Sequence, residues 1–123
     1  MSQKISKGIK DLLSDANQIV TTVSFEKCKS LQKNKNFVFV DLRDYREILK
    51  DGKIPGAFSC PRGMLEFWID PDSPYHKEFF NQDKTYIFYC ASAWRSALAA
   101  KVAMEMGLSP VFHLEGGFNE WLK

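Results

Sequence analysis

Short, nearly unbroken apolar runs alternate along this chain with stretches whose apolar residues recur at helical spacing. Phe37-Val38-Phe39-Val40-Asp41-Leu42 is apolar at almost every position, as a strand covered on both faces requires, and Tyr86-Ile87-Phe88-Tyr89 is a β-branched and aromatic run of the same kind. Ile19-Val20-Thr21-Thr22-Val23 predicts a first strand at a sheet edge, and Ala57-Phe58-Ser59 and Val111-Phe112-His113-Leu114 predict two more. Between the strands, Ile9, Leu12 and Leu13 predict an amphipathic helix over Lys7 to Ala16. Ser24 caps a second helix through Leu31, with Cys28 on its inner face, and Lys33-Asn34-Lys35-Asn36 ends it. Asp44 to Leu49 makes a short helix, followed by a loop over Asp51-Gly52-Lys53-Ile54-Pro55-Gly56. Two brief helical pieces flank Pro71-Asp72-Ser73-Pro74, a longer helix runs from Ser96 to Met106 and stops at Gly107, and a terminal piece covers Phe118 to Leu122. This alternation predicts an α/β three-layer sandwich with a mainly parallel, five-stranded central sheet flanked by helices, in which ligands bind at the carboxyl ends of strands.

Composition narrows the class without changing that picture. At 123 residues, 45% hydrophobic and 26% charged, residues 1–123 form one globular domain with room for a core of its own. The net charge of +2 implies neither a nucleic-acid nor a membrane partner, and Lys27, Lys29, Lys33 and Lys35 read as a solvated helix face and turn. No run approaches the ~20 apolar residues of a membrane span or the pattern of a signal peptide, which places the chain in the reducing cytoplasm as an expectation. Three cysteines, odd in number and without a C-x-x-C pair, argue against a disulfide framework, and with only His76 and His113 beside them no metal site is expected.

The chemistry concentrates at Phe88-Tyr89-Cys90-Ala91-Ser92-Ala93-Trp94-Arg95-Ser96, where one cysteine falls between the end of a strand and the start of a helix. In a tight loop of that kind, backbone N–H groups converge on one point and the helix dipole adds partial positive charge, so a thiol there ionises more readily than a free cysteine. Ala91, Ser92 and Ala93 are small enough to let the backbone curl around a sulfur, Arg95 carries a fork suited to an oxyanion or a carboxylate, and Ser96 falls where a helix N-cap is wanted. The alternative is that Cys90 is core filler, as cysteines ending apolar strands often are.

Four segments, in order, resemble the rhodanese family of sulfurtransferases from about Ser24 to Trp121. Asp41-Leu42-Arg43 resembles the family's D-x-R strand end, and Gly52-Lys53-Ile54-Pro55-Gly56-Ala57 its G-H-I-P-G-A loop. Cys90 to Ser96 resembles the active loop C-x-x-G-x-R-S, and Leu114-Glu115-Gly116-Gly117-Phe118-Asn119-Glu120-Trp121 resembles L-x-G-G-x-x-x-W. The resemblance implies that Cys90 takes the outer sulfur of thiosulfate or a related anionic donor as a persulfide and passes it to a thiol, cyanide or protein acceptor, with no cofactor. Related phosphatases and arsenate reductases use a cysteine-to-arginine loop one residue longer than Cys90 to Arg95. Two positions depart from the pattern: Ala93 replaces the usual glycine, and Lys53 the usual histidine.

On this reading Cys90 is catalytic, and Ala91, Ser92, Ala93, Trp94, Arg95, Ser96 and Arg43 contact the substrate, with Asp41 as structural support. Several roles have a second reading. Arg95 either binds the anion or pairs with Asp41 or Glu47; Asp41 and Arg43 either shape the pocket or form a framework ion pair; Trp94 either walls the pocket or contacts a partner. Arg62 adds charge at the entrance or forms a surface salt bridge. Trp68, Phe67 and Phe79 read as cover for the sheet, Cys28 and Cys60 as core, and His113 as a satisfied structural histidine.

Overall fold

The computed structural model describes residues 2–123. Five strands, β1 (Thr21–Val23), β2 (Phe37–Asp41), β3 (Phe58–Ser59), β4 (Thr85–Tyr89) and β5 (Val111–Leu114), form one sheet in the order β1-β5-β4-β2-β3. Every pairing is parallel, so the sheet is wholly rather than mainly parallel. β4 lies at its centre, and its residues Tyr86 to Tyr89 are fully buried, which accounts for the unbroken apolar run.

Six helices cover the two faces: α1 (Ile9–Ile19), α2 (Phe25–Leu31), α3 (Tyr45–Asp51), α4 (Leu65–Ile69), α5 (Trp94–Met106) and α6 (Gly117–Trp121). Successive β4 side chains point to opposite faces. Tyr86 and Phe88 pack with Ala99, Ala100 and Ala103 of α5 and Leu65 and Ile69 of α4, while Ile87 and Tyr89 pack with Cys28 and Leu31 of α2 and Phe118 of α6. Small alanines on α5 bring that helix close to the sheet, and Leu13 and Ala16 of α1 close over Ala97. The three-layer α/β architecture is the expected one.

Element ends differ in instructive places. α1 runs through Ile19, absorbing residues whose β-branching reads as strand, so β1 is confined to Thr21–Val23; it does lie at a sheet edge. Leu13 and Ala16 of α1 pack on Ala97 of α5, and the helix continues past them through the exposed Ile19 against its β-branched propensity. Ile9 and Leu12 stay largely exposed, and the buried face of α1 is Leu13 and Ala16. Ser24 caps α2 by accepting the Lys27 N–H at 3.2 Å, and Asp44 caps α3 with Glu47 returning a bond to the Asp44 N–H. Around Pro71 to Pro74 the helical pieces are α4, which a 3₁₀ turn over Arg62–Met64 precedes, and a 3₁₀ turn over Glu78–Phe80. Among the described residues, no helix is long and apolar enough to cross a membrane.

Candidate active site

The carboxyl end of β4 leads into Cys90, and Ala93 turns the chain into α5. Ala93 sits at φ 73°, ψ 0°, and among the described residues it is the one non-glycine with positive φ. That left-handed residue is what the glycine of the usual loop would supply freely; here a Cβ is held in a conformation that disfavours it. Because Ala93 turns the chain so sharply, α5 begins at Trp94 and Ser96 is its third residue, not its N-cap. Ala93 has no side-chain acceptor, so the first N–H groups of α5 need partners from elsewhere. Cys90 provides one: its Sγ accepts the Ser96 N–H at 3.4 Å and lies 3.7 Å from Ser96 Oγ. The sulfur thus does the work of an N-cap oxygen, at the positive end of the helix dipole. Of the loop amides, that of Ser96 is the one within hydrogen-bonding reach of Sγ, a narrower arrangement than several amides converging on it. Cys90 is only 1% exposed, at the foot of the loop rather than open on the rim.

The pair Gly116-Gly117 holds the loop from the other side. Phe118 N–H donates to the Cys90 carbonyl at 2.7 Å and Asn119 N–H to the Ala91 carbonyl at 3.0 Å. This approach leaves no space for a side chain, since a Cβ at Gly117 would lie 2.6 Å from both of those carbonyl oxygens. Fixing the two carbonyls toward α6 turns the N–H groups of Ala91 and Ser92 in the same planar peptides the opposite way.

Arg43 and Asp41 are buried together, at 1% and 0% exposure. Arg43 donates through Nε to Asp41 Oδ1 at 3.0 Å and through a terminal nitrogen to Asp41 Oδ2 and the Gly52 carbonyl, each at 2.7 Å. Its guanidinium lies 4.2 Å from the centre of the Phe118 ring, and Tyr89 Oη donates to Asp41 Oδ2 at 2.7 Å while accepting the Ile54 N–H. Expected as a substrate contact, Arg43 is here buried and turned to the protein: Nε and one terminal nitrogen are engaged by Asp41 and the Gly52 carbonyl, and its guanidinium lies against Phe118, whose N–H holds the Cys90 carbonyl. Asp41 is its support, as expected of a framework pair.

Arg95 forms a two-pronged pair with Glu47 of α3, at 2.7 and 2.9 Å. The Arg95 hydrogen bonds hold the Glu47 carboxyl below the usual glutamate range, and Glu47 raises Arg95 in return; Cys90 is also near enough to act on Arg95. Of the two readings of Arg95, this is the structural one. Ser92 and Trp94 face solvent, Trp94 at 52% exposure, while Ala91, Ala93 and Arg95 are partly buried and Ser96 is buried.

The other residues singled out from sequence fall outside this loop. Cys28 and Cys60 are free and fully buried, and burial pushes both thiols up to about 12. Lys53 donates to the Ala57 carbonyl at 2.9 Å, closing its own loop, and Arg62 pairs with Glu66 one turn later at 2.9 Å. Phe58 stacks on Phe79 and meets Trp68 edge-on, covering the sheet, whereas Phe67 is exposed against Tyr75 and covers none of it. His113 is a satisfied histidine, but its partners were not foreseen: Nδ1 lies 3.0 Å from Ser96 Oγ and Nε2 3.0 Å from Thr22 Oγ1. Register places it there, since Thr22 pairs with His113 across β1 and β5. Thr22 had no sequence signal apart from that pairing.

The profile of the family described as "Rhodanese-like domain" matches residues 24–123. A mouse protein named thiosulfate sulfurtransferase/rhodanese-like domain-containing protein 3 is 30% identical over 105 residues, which cover 81% of this chain and 67% of that protein. A solved structure from Rhodopseudomonas palustris, described as a protein of unknown function and possible tyrosine phosphatase, superposes with a TM-score of 0.97 at 56% identity, covering 99% of this chain and 94% of that one. The human single-domain sulfurtransferase TSTD1 superposes with a TM-score of 0.70 at 26% identity, covering 84% of this chain and 96% of that one.

Proposed function

The chain belongs to the rhodanese-like domain family, and on that premise we propose that it is a sulfurtransferase that moves sulfane sulfur from thiosulfate or a related anion to a thiol or cyanide acceptor through a persulfide on Cys90. The observation that carries the reading is the Ser96 N–H aimed at Cys90 Sγ at the start of α5. A hydrogen-bond donor at a helix N-terminus favours thiolate over thiol. Attack of that thiolate on the outer sulfur of thiosulfate forms the Cys90 S–S bond and releases sulfite. Attack by the acceptor on the outer sulfur then returns the thiolate. Trp94 and Arg95 also present N–H groups that lack intrahelical partners, and these suit the negative terminal sulfur or the incoming anion. In the test, exposure to thiosulfate adds one sulfur, about 32 Da by intact mass, and Cys90→Ala abolishes the adduct. Failure to load from several sulfane donors would refute it.

A second reading has its own support: a persulfide carrier or anion-binding module with little turnover. The strained Ala93 and the near-complete burial of Cys90 both favour slow exchange with small acceptors. Loading from thiosulfate without discharge to cyanide or small thiols would select it. The tyrosine phosphatase reading suggested for the Rhodopseudomonas protein fits less well, because Arg95, the arginine that would hold a phosphate, is clamped by Glu47. Hydrolysis of an aryl phosphate, lost in Cys90→Ala, would revive it.

A further inference from the structure

A continuous line of hydrogen-bonding atoms runs from the buried sulfur to the edge of the sheet. Cys90 Sγ lies 3.7 Å from Ser96 Oγ, which lies 3.0 Å from His113 Nδ1; His113 Nε2 lies 3.0 Å from Oγ1 of Thr22, an exposed residue of the edge strand β1. Each atom in the line except the ring nitrogens can both donate and accept, and the ring can exchange its roles by moving one proton between its nitrogens.

We propose that Ser96, His113 and Thr22 form a proton wire through which the Cys90 thiol ionises, with the neutral imidazole of His113 changing tautomer as it does so. In the thiol state, S–H donates to Ser96 Oγ, the Ser96 hydroxyl donates to Nδ1, and Nε2–H donates to Thr22 Oγ1. A shift of each proton one place outward leaves a thiolate that accepts from the Ser96 hydroxyl, Nδ1–H donating to Ser96 Oγ, and Thr22 donating to Nε2. One proton leaves from Thr22 to water, and no group but the sulfur changes charge. His113 is thus a positioning residue: it touches no substrate and sets which way the Ser96 hydroxyl points.

The surroundings suit a neutral ring. Burial alone lowers His113, to about 4, and no charged group contributes to that shift. Facing the sulfur, the charged groups are Arg95 from α5 and, through it, Glu47 from α3; Asp41 at the end of β2 and Arg43 just beyond it are paired with each other. None of these lies in the line of hydrogen bonds, so the wire carries a proton without holding one. A buried thiol at 1% exposure has, in this line, an outlet for its proton that does not require the loop to open.

The wire rests on the reading of Cys90 as the reacting thiol, yet its test needs no sulfur donor. Imidazole ¹⁵N shifts of His113, followed while pH is raised through ionisation of Cys90, are expected to show the proton moving from Nε2 to Nδ1 in the parent protein and staying in place in Cys90→Ser. A ring fixed in one tautomer, one that moves equally in Cys90→Ser, or one that becomes imidazolium at neutral pH overturns the proposal. A tautomer change without thiosulfate loading would refute sulfur transfer and leave the wire standing; loading with a fixed tautomer would do the reverse.

Discussion

Replacing Ala93 by glycine isolates the strain in the active loop. Ala93 holds φ 73°, where a Cβ crowds the following carbonyl at a cost of about 1–2 kcal/mol. Glycine removes that cost and adds freedom to the unfolded chain, which offsets the gain by about 0.5–1 kcal/mol. The net is a stabilisation of about 0.5–1 kcal/mol, or about 2–4 °C in melting temperature for a domain of this size. Thermal melts and urea titrations of the parent and Ala93→Gly proteins measure it, with an unchanged m-value required for the comparison to be of stability alone. Relief at this position also frees the Trp94 and Arg95 amides to settle on the terminal sulfur, so persulfide loading, followed by intact mass against time, is expected to quicken. If Ala93→Gly melts at or below the parent temperature, the left-handed alanine is not strained, and slow turnover cannot be ascribed to it.

Other outcomes follow from the same geometry. Gly117→Ala is expected to destabilise the fold by about 2 kcal/mol or more and to abolish loading, because its methyl meets two backbone carbonyls at 2.6 Å; urea unfolding and mass measure the two effects. Asp41→Ala leaves Arg43 charged and buried without its partner, and should cost about 3–5 kcal/mol in urea unfolding. His113 lies below its unfolded value of about 6.5, so the unfolded chain binds the extra proton first as pH falls. Its contribution is fully present above pH 6.5 and is lost toward pH 4, up to about 3 kcal/mol over that window; a His113→Asn protein should lose this slope, read by urea unfolding at a series of pH values. In the native protein, a thiol reagent should modify Cys90 while Cys28 and Cys60, buried and pushed up to about 12, react only after denaturation.

The sheet and the strand-end placement of Cys90 are legible in the sequence because they depend on patterns the chain carries locally. Phe37 to Asp41 and Tyr86 to Tyr89 are apolar at nearly every position because both sheet faces are covered, and Cys90 stands where one such run ends. The positive φ of Ala93 was foreseeable as a condition, since the family pattern has glycine there. Arg43 was harder: its charge suggested a ligand, and only the folded chain brings Asp41, the Gly52 carbonyl and the Phe118 ring around it. The length of α1 and the position of Ser96 escape local reading for a related reason, because packing of Leu13 and Ala16 against Ala97 of α5 and one left-handed residue at 93 set them. The line from Cys90 through His113 to Thr22 depends on strand register, which no local pattern discloses.

Parallel pairing of β1 with β5 sets Thr22 against His113 across 91 positions of sequence. No hairpin can bring such partners together, and the entropy of closing so long a loop must be met before the pairing returns anything. The proposed path for the Cys90 proton thus depends on a contact that exists only once the two ends of the chain have met. On the proposed reading, sulfur loading at Cys90 during refolding would track closure of the β1–β5 pairing and so report completion of the sheet.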